Sequence, residues 1–169
     1  MNVLGMSTGG SLALQLAADH PQLIARLVPG GTACTLGPIG KRAQRAYIDR
    51  ARRGQRPSPA LAELVTGSAI GRALIKTARL ADGRKDHTDA ATMLNAEDGY
   101  DLRGRLHDVK APTLLIQSEK DVAYPLEPAR RTARGIPGAR LITYPGRSHA
   151  ATFTDKRFAS DAPAFLLDG

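Results

Sequence analysis

The chain contains no tryptophan, a single cysteine and few aromatic side chains of any kind: four tyrosines and three phenylalanines, 4% of its residues. One cysteine, Cys34, excludes an intramolecular disulfide, and a lone thiol carries no sign of an oxidising compartment. The scarcity of aromatics and the lack of any recognised nucleic-acid motif argue against a nucleic-acid partner. No apolar run reaches the length of a membrane span, and no signal-peptide pattern precedes Ser7, so the expectation is a cytoplasmic protein with no membrane partner. His20, His87, His107 and His149 lack ligand spacing, and Cys34 is solitary, so neither a metal nor a cofactor is expected.

Acidic residues are also in the minority, 16 Asp and Glu against 24 Lys and Arg, for a formal charge of +8. The bases crowd into "GKRAQRAYIDRARRGQR" (Gly40 to Arg56), where Asp49 is the only acid and the spacing is that of a basic amphipathic helix. Such a face can meet an anionic substrate, a membrane surface or nucleic acid. Because bases are scattered along the rest of the chain too, the reading preferred here is a solvated face. At 169 residues and 42% hydrophobic composition, the chain is one globular domain or a piece of one.

What is present is concentrated near the start. In "NVLGMSTGGSLALQLAADHP" (Asn2 to Pro21), Val3 and Leu4 read as the end of an apolar strand. Ser11 to His20 reads as a helix with Leu12 and Leu16 on one face, closed by Pro21. Ser7 then sits on a strand-to-helix turn, where a strained backbone exposes its side chain and residues two positions away must be small. Gly5 and Gly9 meet that need. The N-terminus of the following helix, with its free N–H groups, favours an alkoxide on Ser7 and an oxyanion beside the Thr8 N–H. Small residues at a helix start also serve close packing on a sheet, which is the structural alternative. A phosphate-binding loop is excluded because Ser11 stands where its lysine belongs.

Further along, "LIARLVPGG" (Leu23 to Gly31) reads as a buried strand ending at Pro29. From about Leu36 to Tyr100 the pattern turns helical, broken at "GQRPSP" (Gly54 to Pro59) and "ADGRKD" (Ala81 to Asp86), which predicts an inserted segment of about three helices. Strand character returns in "APTLLIQS" (Ala111 to Ser118) and "ARLITYPG" (Ala139 to Gly146), with the helical "PLEPARRTARGIPG" between them. A crossover of that length places the two strands parallel and adjacent. The last stretch reads as a helix capped by Asp161 with Pro163 in its first turn.

A serine nucleophile needs a base, and the base needs an orienting acid, all delivered from the carboxyl ends of parallel strands. Asp121 follows the strand Pro112 to Ile116 and His149 follows the strand Leu141 to Tyr144. Glu119 is a neighbouring alternative carboxylate, and helix capping is an alternative role for Asp121. Serine, aspartate and histidine in that chain order, each past a strand, form a Ser-His-Asp constellation.

On these residues the chain resembles the α/β-hydrolase-fold superfamily, serine hydrolases with a helical cap. The resemblance rests on "LGMSTGGSLALQLAADHP", "RLVPGG", "LRGRLHDVKAPTLLIQSEKDVAYP" and "GARLITYPGRSHAA" and runs from end to end of the chain. It implies an α/β fold: the C-terminal part of the hydrolase fold, a parallel sheet flanked by helices with an inserted helical cap. The elbow part would span 1–35, the cap 36–100, and the part bearing the acid and histidine loops 101–169. It further implies Ser7 as nucleophile, His149 as general base and acid, Asp121 as its orienting partner, Thr8 as one oxyanion donor, and a small-molecule substrate.

In that family the elbow follows the fifth strand, so the resemblance implies that the preceding strands lie upstream of Met1 and that this chain is N-terminally truncated. The loop that often supplies the second oxyanion N–H from a His-Gly segment has no counterpart, and losing one donor costs on the order of a hundred-fold in rate. The elbow strand would be left as an apolar edge, open to homo-oligomer formation or aggregation. Ser118 stands where the family often has glycine, and Arg147 and Ser148 are bulkier than usual. Within the family, the resemblance to enol-lactone hydrolases is weakened by the missing tryptophan, and a serine at the elbow argues against haloalkane dehalogenases, which carry aspartate. Three functions are thus in competition: an ester-type hydrolase, a catalytically silent chain that completes its sheet with another, and an anion-binding module that rests on charge alone.

Overall fold

A computed structural model describes residues 1–55, 64, 66, 68–74 and 87–168. Strands β1 (Asn2–Met6), β2 (Arg26–Gly30), β3 (Leu114–Ser118) and β4 (Arg140–Tyr144) form one four-stranded sheet in that order, every adjacent pair parallel. Parallel neighbours require crossovers, and these are supplied by α1 (Thr8–Asp19) between β1 and β2 and by α4 (Leu126–Gly135) between β3 and β4. The helices α2 (Pro38–Arg52) and α3 (Thr88–Asp98) lie in the long connection from β2 to β3. A short α5 (Ala151–Thr154) and the terminal α6 (Phe158–Leu167) follow β4. Residues 56–59 of "GQRPSP" and all of "ADGRKD" lie outside the described residues.

Side-chain alternation along the strands divides the core into two layers. Leu27 faces one layer with Ala13, Leu14 and Ala17 of α1, joined by Leu106, Val109 and Ile136. Its neighbour Val28 faces the other, with Leu114, Ile116, Tyr144 and Phe158, Ala162 and Phe165 of α6. All five residues of β3 are buried, as expected of a strand covered on both faces. The sheet is therefore helix-covered on both sides, the α/β arrangement that the resemblance implies. A third cluster, with Leu36, Ala43 and Tyr124, gathers α2 beside the carboxyl ends of the strands, and Tyr47 and Ile48 of α2 pack on Ala91 and Leu94 of α3. Lys and Arg side chains of α2 line its outer side, where Arg45 pairs with Asp98 at 2.9 Å. Among the described residues no helix is long and apolar enough to cross a membrane.

The chain differs from its sequence pattern in three places that matter. The first helix begins at Thr8, three residues before the expected Ser11, because the N–H groups of Gly10 and Ser11 already bond to the Ser7 carbonyl. Its buried face is Ala13, Leu14 and Ala17, while Leu12 is exposed: small residues face the sheet because backbone comes very close there. Strand β2 runs through Pro29 to Gly30. Pro29 falls between the two rows, Leu27 with Thr113 and Gly30 with Ile116, at which β2 pairs with β3, where its missing N–H breaks no bond. Finally, Asp161 caps nothing. It lies inside α6 and accepts a 2.8 Å hydrogen bond from Tyr144 OH, and Pro163 sits in the helix interior; the turn entering α6 is closed by Asp155, whose carboxylate accepts from Arg157 N.

These packing assignments predict that Leu14→Ala destabilises the chain by about 2–5 kcal/mol, since Leu14 is fully buried. Leu12→Ala on the same helix changes stability by less than about 0.5 kcal/mol; urea unfolding of the two variants checks the contrast.

Candidate active site

Ser7 is the one described non-glycine residue with positive φ, at φ 54° and ψ −125°. Such a backbone costs about 1–3 kcal/mol and persists only where the surroundings hold it. Here the Ser7 N–H donates to Gly30 O at 2.9 Å, fastening the turn to β2, and the first turn of α1 closes on the Ser7 carbonyl. The turn also demands missing side chains, though not at both expected positions. A Cβ on Gly5 would stand 2.3 Å from Gly9 O, and one on Gly10 would stand 2.5 Å from Thr32 Cγ2. A Cβ on Gly9 would meet nothing within 4 Å. The expectation that Gly9 provides room is thus corrected: the tight approaches are at Gly5 and Gly10, because Gly9 faces outward from the elbow.

The structure brings Ser7, His149 and Asp121 together from three strand ends. Ser7 Oγ lies 2.8 Å from His149 Nε2, and His149 Nδ1 lies 2.6 Å from Asp121 Oδ2. Asp121 Oδ1 accepts the N–H groups of Ala123 and Tyr124, each at 2.9 Å, and Oδ2 also accepts Gln117 Nε2 at 3.0 Å. A carboxylate whose other partners are all donors accepts from His149 as well, which assigns the ring proton to Nδ1 and leaves Nε2 to accept from the Ser7 hydroxyl. Both Asp121 and His149 are buried, and the ring is flanked by Phe153 edge-on at 5.7 Å and Tyr124 stacked at 6.2 Å. Glu119 is not part of this line; its carboxylate accepts the Gly146 N–H at 2.8 Å. Thr8, as first residue of α1, has no carbonyl one turn back to receive its N–H.

The unusual residues of the sequence find partners. Thr152 Oγ1 donates to Ser118 Oγ at 2.7 Å, so the serine joins the end of β3 to α5 beside the histidine loop. Arg147 turns its guanidinium outward to Asp155 at 3.0 Å, and its carbonyl receives the Lys120 N–H, linking the acid and histidine loops. His20 and His107 are exposed and His87 sits edge-on to Tyr47. Cys34 is buried, and burial raises its thiol above the ordinary range.

Three side chains that the sequence did not single out belong to the site. Gln117, fully buried on β3, donates through the same nitrogen to Asp121 and to Tyr124 O, both of which are acceptors, so its amide orientation is determined. Glu97, on α3, accepts from Thr8 Oγ1 at 3.0 Å and from Gln44 Nε2 and Tyr124 OH. Burial, reinforced by the neighbouring Glu97, pushes the Tyr124 hydroxyl far above its usual range, so it remains a donor. Only Gln117 carried a sequence signal, as a polar residue closing the apolar run Leu114 to Ile116. Among the described residues no cluster of His, Cys, Asp and Glu has the geometry to hold a metal ion.

A family model for serine aminopeptidases, S33, matches residues 1–156. The pimeloyl-[acyl-carrier protein] methyl ester esterase of Aromatoleum aromaticum is 32% identical, over 88% of this chain and 66% of its own length. The poly(3-hydroxyalkanoate) depolymerase of Ectopseudomonas oleovorans is 30% identical, over 83% of this chain and 52% of its own. Among solved structures, the α/β hydrolase MGS-M2 from a Medee basin deep-sea metagenome library superposes with a TM-score of 0.81 at 20% identity, covering 99% of this chain and 65% of that one. The enol-lactonase of Burkholderia xenovorans LB400 gives 0.76 at 26% identity, with the same coverage. The chain spans between about half and two thirds of the length of these relatives.

The elbow geometry predicts that Gly5→Ala and Gly10→Ala each destabilise the chain by about 1–3 kcal/mol. Gly9→Ala leaves the urea midpoint within the range of an ordinary surface substitution, about 0.5 kcal/mol.

Proposed function

We propose that this chain, which belongs to the serine aminopeptidase S33 family of α/β hydrolases, hydrolyses an ester-like carbonyl of a small molecule through an acyl-enzyme. One observation carries the reading: the unbroken line of hydrogen bonds from Ser7 Oγ through both nitrogens of His149 to Asp121. In the proposed reaction His149 Nε2 takes the Ser7 proton as Oγ attacks the carbonyl carbon. Asp121 holds the ring with Nδ1 protonated and stabilises the imidazolium that forms. The Thr8 N–H, at the positive end of α1, faces the developing oxyanion. His149 returns its proton to the leaving alkoxide, and a water activated by the same nitrogen then releases the acid and regenerates Ser7. The connection between β2 and β3, through α2 and α3, would select the substrate.

The ester assignment draws support from relatives whose names include a methyl ester esterase, and a relative at 24% identity named a putative carbamate hydrolase keeps the class at acyl carbonyls generally. A fluorophosphonate probe is expected to label the purified chain at Ser7, located by peptide mass spectrometry, and His149→Ala is expected to abolish that labelling. Turnover of 4-nitrophenyl butyrate falls on the order of 10⁴-fold or more in Ser7→Ala. Ser7→Ala turnover equal to the parent sinks the reading.

A second reading is favoured by the sheet edge. Strand β1 ends the strand order and, among the described residues, pairs only with β2, while Leu4 and Met6 on it are 42% and 43% exposed. An apolar edge of this kind is a template for pairing with another copy. Light scattering after size exclusion is expected to give a mass above the monomer, reduced by Leu4→Lys; a monomeric and active preparation would remove this reading and leave the first intact.

A further inference from the structure

Glu97 is a buried acid that the proposed reaction does not use, only 5% exposed and carried by α3, far from Ser7 in the chain. A carboxylate so placed is tolerated only if its lone pairs find donors. Three converge on it: the Thr8 and Gln44 side chains on Oε2, and Tyr124 OH on Oε1. The partners are not arbitrary. Thr8 directly follows Ser7, and Tyr124 stacks beside His149 and gives its backbone N–H to Asp121. One carboxylate thus joins α2 and α3 to both ends of the Ser7, His149 and Asp121 line.

The Thr8 N–H belongs to the peptide plane between Ser7 and Thr8, whose orientation follows from ψ of Ser7 and φ of Thr8. Ser7 is held on one side by the bond from its own N–H to Gly30 O. The carbonyl of the plane is held by the Gly10 and Ser11 N–H groups, and at its Thr8 end the side-chain anchor among the described residues is the 3.0 Å bond from Thr8 Oγ1 to Glu97. An oxyanion donor acts only when aimed to within a few tenths of an ångström of the developing charge, and rotation of this plane would spoil that aim.

We propose that Glu97 is a positioning residue: through the Thr8 hydroxyl it fixes the peptide that donates to the oxyanion, so that full turnover requires α2 and α3 to be seated on the core. The role rests on the reading of Ser7 as nucleophile. Its chemistry is that of an acceptor, not of a charge. In Glu97→Gln the amide oxygen can still accept from Thr8 and Gln44, while the amide nitrogen donates to the Tyr124 hydroxyl oxygen and the hydroxyl proton turns to Ser11 Oγ, 2.8 Å away.

The test uses Thr8→Val, Glu97→Gln, Glu97→Ala and the Thr8→Val/Glu97→Ala pair, with melting temperature as a control and 4-nitrophenyl butyrate as substrate. Thr8→Val, which keeps the side-chain shape and removes only the hydroxyl, is expected to lower kcat about tenfold with KM changed less than about twofold, and to slow fluorophosphonate labelling in parallel. Glu97→Ala loses at least as much, Glu97→Gln stays within about threefold of the parent, and the double variant is no slower than Glu97→Ala. Parent-like kcat in Thr8→Val, or losses that multiply in the double variant, overturns the role even if Glu97→Ala fails to fold. Those results, obtained alongside Ser7-dependent turnover, would leave the hydrolase reading standing. Absence of Ser7-dependent labelling and turnover in the parent overturns both.

Discussion

The left-handed backbone of Ser7 is the constraint around which the rest of this structure is arranged. An L-residue at φ 54° returns to ordinary backbone unless it is held, and the holding groups come from every neighbouring element. Strand β2 accepts its N–H, α1 starts on its carbonyl, and Gly5 and Gly10 leave room for the sheet and the helix to approach. The small-residue face of α1 follows from that approach: Ala13 and Ala17 lie inside and Leu12 outside, so the backbones come close enough for the turn to be sharp. The result is a hydroxyl standing at the carboxyl edge of a parallel sheet, where the loops after β3 and β4 also end.

Around that hydroxyl the interior is unusually polar, and each polar group answers a cost set by another. Burying Asp121 is offset by two backbone N–H groups, Gln117 and the histidine ring. Those same bonds leave the ring one usable lone pair, aimed at Ser7. Burying Glu97 is offset by donors from α1, α2 and the loop before α4, which makes α2 and α3 part of the site's polar framework. Networks of this kind favour one arrangement, since a shift leaves further groups unpaired in a low-dielectric interior; here both carboxylates are fully partnered, while among the described residues Gln44 Oε1 and Gln117 Oε1 are buried without a partner. The hydroxyl pair of Ser118 and Thr152 extends the same logic to the histidine loop, with a serine bonding where glycine would leave space.

Much of this was legible before folding, for physical reasons that can be named. Parallel strands read as short apolar runs because both their faces are covered, as all five buried residues of β3 show. Ser7, Asp121 and His149 could be singled out because each follows such a run directly, and the carboxyl ends of parallel strands meet at one edge of the sheet. Element limits were less legible. Proline normally closes a strand, and Pro29 does not, because it falls in a gap of the ladder that only the pairing of β2 with β3 creates. Asp161 looked like a cap because local spacing cannot reveal that Tyr144 would claim its carboxylate.

The sequence by itself determined the alternation of strands and helices, the glycine-flanked turn at Ser7 and the order of the serine, aspartate and histidine, all properties of residues close together in the chain. Tertiary structure alone decided which of two carboxylates meets His149, which glycines the turn cannot do without, and that Glu97 and Gln117 belong to the site. Those outcomes depend on contacts such as that between Thr8 and Glu97, 89 residues apart, and on the cost of burying a charge, which has no meaning until the fold defines an interior.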